Sequence, residues 1–154
     1  MEIERKYLIH HIPENLTVTE THHIEQGYLC TGPVVRIRKD NEDYILTYKS
    51  KGLMVREEYN LPLTANAYEH LKTKIDGRLI KKTRQVIPYT DNLFIELDTF
   101  HGDLAPLVLA EVEFHSVEAA DNFVPPPSWF AEDVTFSPAY HNSTLSNILL
   151  HSAT

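Results

Sequence analysis

Acids and bases in this chain recur two residues apart. Glu2/Glu4, Glu96/Asp98 and Glu111/Glu113 are the acidic pairs; Arg36/Arg38 and Lys82/Arg84 are the basic ones, with Lys6 following Glu4 and with Lys49 and Glu58 standing singly. Residues i and i+2 of a β-strand project from the same face, so each pair is concentrated on one surface if its segment is extended. A single E-x-E is ordinary on the solvated face of an antiparallel sheet. Strand after strand sorted by sign is not required by simple salt bridging. Carboxylate clusters are the oxygen-rich donor sets that hard divalent cations such as magnesium and manganese prefer. Arginine and lysine clusters suit a polyanion with planar acceptors that take two hydrogen bonds at once. Together they describe a site for a metal and a phosphate chain.

The elements that must position these residues are mostly strands. Met1 to Tyr7 alternates charge with Ile3 and Tyr7. His22 to Cys30 is rich in extended formers and ends at the turn Thr31-Gly32-Pro33. Val34 to Lys39, the polar turn Asp40 to Asp43 and Tyr44 to Lys51 have the pattern of a hairpin, with Arg36 and Arg38 on one face and Thr47, Lys49 and Lys51 on one face of the return. Arg56, Glu58 and Asn60 share a face after Gly52. Leu79 to Pro88, Asn92 to Phe100 and Leu107 to His115 supply the remaining pairs, each backed by Val, Ile, Leu or Phe.

Helices are fewer. Thr64 to Gly77 reads as the clearest, with Thr64 as N-cap, Tyr68, Leu71 and Ile75 as an apolar stripe and Gly77 as its stop. Ser116 to Phe123 is a short helix halted by Pro125-Pro126-Pro127, and Ser143 to His151 is an amphipathic tail helix. Pro13 to Leu16 is expected to hold a short helical turn.

Composition narrows the classes. A chain of 154 residues with 42% hydrophobic and 23% charged residues is expected to form one soluble domain over 1–154. No apolar run is long enough to span a bilayer and no signal peptide is visible, so a cytoplasmic protein is expected. The single Cys30 fits a reducing compartment. A formal net charge of -8 argues against nucleic-acid or anionic-membrane binding. The glycines form no nucleotide-cradling loop, so side chains must hold any phosphate. The pairs His10-His11 and His22-His23 lack the spacing of a zinc site.

Helices with apolar stripes need sheet surface to cover, and the apolar strand faces are the candidates. The charged faces then turn toward one another. The expected fold is α+β: a closed antiparallel β-barrel with a polar, charged lumen and helices packed outside. Charges gathered in a lumen need partners, water or a ligand.

The ordered motifs Glu2-Ile3-Glu4-Arg5-Lys6, Arg36-Ile37-Arg38, Lys82-Thr83-Arg84, Glu96-Leu97-Asp98 and Glu111-Val112-Glu113 resemble those of the CYTH domain, the triphosphate tunnel metalloenzymes. The resemblance runs through essentially the whole chain. It implies an eight-stranded antiparallel tunnel and divalent-metal-dependent action on triphosphates, in a family that includes class IV adenylate cyclases, thiamine triphosphatases and inorganic tripolyphosphatases. Members often carry a second glutamate where this chain has Asn60, and basic residues where it has only His141 in Tyr140-His141-Asn142-Ser143.

On this reading the reaction is hydrolysis of a triphosphate, best matched by inorganic tripolyphosphate. Lys6, Arg36, Arg38, Lys49, Lys82 and Arg84 bind the phosphate chain. Glu2, Glu4, Glu58, Glu96, Asp98, Glu111 and Glu113 are the metal-ligand candidates for Mg2+ or Mn2+, and Glu4, Lys6, Tyr28, Arg38 and Lys82 the catalytic ones. ATP cyclisation, hydrolysis of thiamine or nucleoside triphosphates, and non-catalytic polyphosphate binding are the alternatives. The expected partner is a triphosphate-containing small molecule, and a homodimer is compatible with the sequence.

Overall fold

A computed structural model describes residues 1–146. The first half holds β1 (Glu2–Ile9), β2 (Glu20–Thr31), β3 (Val34–Asp40), β4 (Asp43–Lys49), β5 (Val55–Arg56), β6 (Glu58–Pro62) and α1 (Ala65–Lys72). There follow β7 (Asp76–Pro88), β8 (Phe94–Phe100), β9 (Val108–Glu113), α2 (Val117–Asp121), β10 (Phe130–Asp133) and α3 (Asn142–Leu145).

Antiparallel pairing runs from β1 through β9, β8, β7, β2, β3 and β4 to β6. The route then returns to its start. Only Glu57 separates β6 from β5, and β5 pairs with β1 by placing Arg56 opposite Glu2 and Val55 opposite Ile3. The broken strand β5–β6 is therefore the eighth wall of a nearly closed barrel, sealed to β1 along a very short seam. The rest of that edge of β1, from Tyr7 to Ile9, is taken by β10. Beyond β10, Val134 N–H donates to the Lys6 carbonyl at 2.9 Å and Lys6 N–H donates to Thr135 Oγ1 at 2.9 Å, so the seam continues through the loop.

The apolar faces point away from the lumen, as the alternation demands. Ile3, Tyr7, Ile95, Leu97 and Val112 are buried with Ala120, Trp129 and Phe130 in one core outside the barrel. Each such aliphatic or aromatic side chain removed from water contributes roughly 1.5–3 kcal/mol, which is what offsets a polar interior. Ser116 caps α2 by accepting from Ala119 N–H at 3.0 Å, and Arg5 fastens the end of α2 to β10 by donating to the Ala120 carbonyl at 2.8 Å and to Asp133 Oδ2 at 2.6 Å. On the opposite flank α1 lies over β3 and β4 through Tyr68, which is wholly buried and donates to Glu25 Oε1 at 2.9 Å.

Several boundaries differ from the sequence reading. The first helix stops at Lys72 instead of running to Gly77: Thr73 N–H closes on the His70 and Leu71 carbonyls, and Asp76 already starts β7. Ile75 therefore leaves the helical stripe and packs on β2 at Gly27, where a Cβ would stand 2.9 Å from its side chain. Gly77, at φ 69, is the second residue of β7 and not a helix stop. The segment around Pro13 makes a turn at residues 14–15 without a helix. The return strand of the hairpin ends at Lys49, leaving Lys51 exposed and outside the charged face. Strand β10 was not expected. The tail helix is seen as α3, Asn142–Leu145; the remainder of the expected Ser143–His151 segment lies outside the described residues. No described helix is long and apolar enough to cross a membrane.

Candidate active site

Each wall strand places its charged residues in the barrel by strand parity alone. Glu2, Glu4 and Lys6 come from β1, Tyr28 from β2, Arg36 and Arg38 from β3, Thr47 and Lys49 from β4, and Arg56, Glu58 and Asn60 from β5–β6. Arg84, Glu96, Glu111 and Glu113 complete the ring from β7, β8 and β9, around a cavity of about 250 Å³. His141, Asn142 and Ser143 form part of its lining beside the lysine end of β1. Lys6 Nζ donates to the Tyr140 carbonyl there at 3.1 Å.

Lys82 and Asp98 stand behind this wall instead of on it. Their side chains are only 0% and 1% exposed and meet at 2.8 Å. Asp98 also accepts two hydrogen bonds from Arg84, from Nε at 2.7 Å and from Nη2 at 2.9 Å. Both of its oxygens are thereby committed to cations. Burial pushes Lys82 down to about 7 despite Asp98, while Arg84 and Lys82 outweigh burial to hold Asp98 below its usual range. Arg84, held at the wall by Asp98, lines the cavity and reaches Glu96 at 2.9 Å and Glu111 at 3.4 Å.

The other cations divide into two classes. Lys6 is paired with Glu111 at 3.3 Å, Lys49 with Glu2 at 3.0 Å and Glu58 at 3.3 Å, and Arg56 lies 3.6 Å from Glu2 and 3.8 Å from Glu4. Arg36 and Arg38 have no carboxylate partner among the described residues. Arg36 donates from Nη2 to Thr47 Oγ1 at 3.3 Å, and Arg38 from Nε to Gln26 Oε1 at 2.8 Å. Burial, and then the neighbouring charges of Arg36 and Arg84, lower Arg38 to about 9. The β3 wall thus carries two guanidiniums that no carboxylate among the described residues pairs with.

The carboxylates on the other walls crowd one another. Burial and the charge of Glu4 push Glu2 up to about 8, and burial with the charge of Glu111 raises Glu4. Glu96 and the exposed Glu113 are also raised, by burial and by neighbouring carboxylates. Burial opposes ionisation of Glu58 too, but hydrogen bonding to Glu2 and the charge of Lys49 hold it at about 2. Glu111 lies well below the ordinary range because Lys6 and Arg84 outweigh its burial.

Among the described residues no three Asp, Glu, His or Cys side chains are already gathered as a metal cluster. The donor set nevertheless fits a hard cation: it is all carboxylate oxygen, and burial together with the neighbouring carboxylates raises Glu2, Glu4, Glu96 and Glu113.

Some lining residues were not among the sequence candidates. Arg56, two residues before Glu58 on the same face, carried a readable signal. Parity places Thr47 with Lys49 and Asn60 with Glu58, but being uncharged they gave no sign of a role, and His141 sits on a loop. Burial, then Lys6 and Arg56, lower His141 to about 4 and keep it neutral. Of the paired histidines, His22 bonds Asp40 at 2.7 Å and Glu20 at 3.2 Å.

A barrel whose charged faces all turn inward matches a known family. The CYTH domain model matches residues 1–148. The chain belongs to the CYTH domain family. A curated inorganic triphosphatase from Nitrosomonas europaea is 40% identical over 150 residues, 94% of this CYTH chain and 96% of the relative. The crystal structure of an inorganic triphosphatase superposes with a TM-score of 0.71 at 38% identity, covering 95% of this chain and 94% of that one. A Hippeastrum protein, reported as an adenylyl cyclase revealing a dominant triphosphatase activity, shares the fold at 16% identity, with a TM-score of 0.61 over 79% of this CYTH chain and 83% of its own. CYTH triphosphatases are generally metal-dependent.

Proposed function

We propose that this chain, as a single domain over 1–154, hydrolyses inorganic tripolyphosphate in a reaction dependent on Mg2+ or Mn2+. The observation that carries the reading is one cavity lined on one side by two guanidiniums without a carboxylate partner among the described residues, Arg36 and Arg38, and on the other by a cluster of carboxylates, Glu2, Glu4, Glu96, Glu111 and Glu113. A phosphate chain carrying a hard cation is complementary to both. The identity of 40% with an inorganic triphosphatase supports the same substrate class. A bound cation would polarise phosphate oxygens and lower the pKa of the attacking water.

The chain's own residues do the rest. Arg36, Arg38 and Lys49, with Lys6 and Arg84, grip the phosphates and answer charge that grows on the transferred group. Lys82 belongs with this set through Arg84: its pairing with Asp98 fixes the guanidinium that reaches Glu96 and Glu111. Glu2, Glu4, Glu111 and Glu113 would hold the cation, with Glu58 and Glu96 on the flank of a second; Asp98, expected among these ligands, has both oxygens taken by Arg84 and Lys82 and anchors Arg84 instead. Tyr28, buried in the cavity wall, positions the reactants. The apolar residues lining this cavity are Val34 and Ile45 apart from Tyr28, which leaves little surface for a base or thiazolium ring and favours the inorganic substrate over the organic ones. A cytoplasmic site of action, without nucleic acid or membrane, and a homodimeric assembly complete the reading.

Phosphate release from tripolyphosphate, ATP, GTP and thiamine triphosphate, each with magnesium or manganese, tests it. Tripolyphosphate is expected to turn over fastest. Preference for an organic triphosphate would overturn the substrate, and no release from any would overturn the reaction.

A further inference from the structure

Asn60 is an uncharged residue in a ring of ions, and its two ends do different things. Its side-chain oxygen accepts from Thr47 Oγ1 at 2.6 Å, and its amide nitrogen donates to Glu58 Oε1 at 3.3 Å. The orientation follows from the partners: a carboxylate oxygen requires a donor, so the nitrogen must face Glu58 and the oxygen must face Thr47. The Thr47 proton is thereby spent on Asn60, leaving a lone pair to accept from Arg36 Nη2 at 3.3 Å. Thr47 is wholly buried and Arg36 is 6% exposed, so water has little part in that end of the relay, while Asn60 itself is exposed. Arg36 Nε is buried with no hydrogen-bond partner among the described residues. The guanidinium is tethered through a neutral hydroxyl beside the cavity and has no carboxylate partner among the described residues.

We infer that Asn60 is a positioning and specificity-determining residue: it tethers Arg36 through Thr47 without neutralising it, and so reserves that guanidinium for the phosphate chain. The inference rests on the triphosphate reading given above. A carboxylate at position 60 would keep the hydrogen bond from Thr47 but stand beside Glu58 and one hydroxyl away from Arg36. Repulsion from Glu58 and attraction to Arg36 would then turn the arginine toward the protein. An amide has the same shape without that pull, which is why it suits a wall whose task is to hold an anion.

The test is calorimetric titration of the purified full chain with inorganic tripolyphosphate in excess EDTA, so that the arginine wall is read without metal. Wild type should bind. Asn60→Asp should weaken binding roughly tenfold or more, because the added charge acts at short range in a confined site, and this loss should largely vanish in an Arg36→Ala background, where no guanidinium remains to divert. In assays with metal the same substitution should raise KM by a similar factor and leave kcat within about threefold. If Asn60→Asp does not fold, Asn60→Ala and Thr47→Val cut the tether without adding charge, and each should weaken binding roughly threefold. Equal binding by wild type and these variants, or an undiminished effect of Asn60→Asp in the Arg36→Ala background, overturns the role of Asn60 alone. Failure of wild type to bind tripolyphosphate with or without metal overturns the triphosphate reading and this inference with it.

Discussion

Asp98→Asn removes one negative charge from beneath the cavity without changing the shape of the side chain. In the wild type its oxygens meet Arg84 at 2.7 and 2.9 Å and Lys82 at 2.8 Å, with the Lys82 and Asp98 side chains 0% and 1% exposed. Deleting one partner of a buried pair leaves the other uncompensated, at about 3–5 kcal/mol. Lys82, already held near 7 by burial, can escape part of this by giving up its proton, which favours the lower figure. For a domain of this size about 2–4 °C of melting temperature goes with each kcal/mol, so the expected loss is roughly 6–20 °C at neutral pH. The sign with pH is fixed as well. The folded-state pKa of Asp98 is depressed, so its contribution is present above the ordinary carboxylate range and is lost as pH falls through the folded value. The gap between wild type and variant should therefore be full at pH 7 and close in acid. Melts by circular dichroism across that range measure it. A loss below about 3 °C at pH 7, or a gap that widens in acid, would refute the assignment of Asp98 as the buried anchor of Arg84 and Lys82.

Three further outcomes follow from the same charges. Arg38→Ala should leave the ligand-free protein as stable or more so, because it relieves repulsion from Arg36 and Arg84, while the rise in melting temperature produced by metal and tripolyphosphate shrinks; a large loss without ligand and an undiminished rise would make Arg38 a structural residue. Glu4→Gln and Glu111→Gln should each lower turnover about a hundredfold or more with the fold intact, and wild-type rates in either would remove that residue from the metal site. Glu2 is raised from 4.5 to about 8, so the folded state holds the extra proton and ligand-free stability should fall as pH rises between those values; Glu2→Gln should flatten that decline, and an unchanged slope would contradict the raised value.

What could be read from the sequence was parity. Alternation at Glu2-Ile3-Glu4, Arg36-Ile37-Arg38 and Glu96-Leu97-Asp98 assigns each side chain to a face, and the inward faces then make the barrel. Parity says nothing of depth, so Lys82 and Asp98, which share inward parity with Arg84 and Glu96, gave no sign of standing behind the wall. Nor does it reveal long-range pairing: the two-residue seam of β5 on β1, and β10 beside it, depend on contacts distant in the chain. The helical stripe of Tyr68, Leu71 and Ile75 misled because Ile75 is apolar for a different reason, its packing on Gly27 of β2. Parity put Thr47 and Asn60 on the right faces, but the hydrogen bond that joins them has no charge pattern and could not be read.

The most direct test of the central claim is phosphorus NMR of tripolyphosphate incubated with the purified chain, run with magnesium or manganese and again in excess EDTA. With either metal, phosphate and pyrophosphate should appear in equal amounts, and in EDTA neither should form. Turnover undiminished by EDTA, or tripolyphosphate left intact with both metals, would contradict the account.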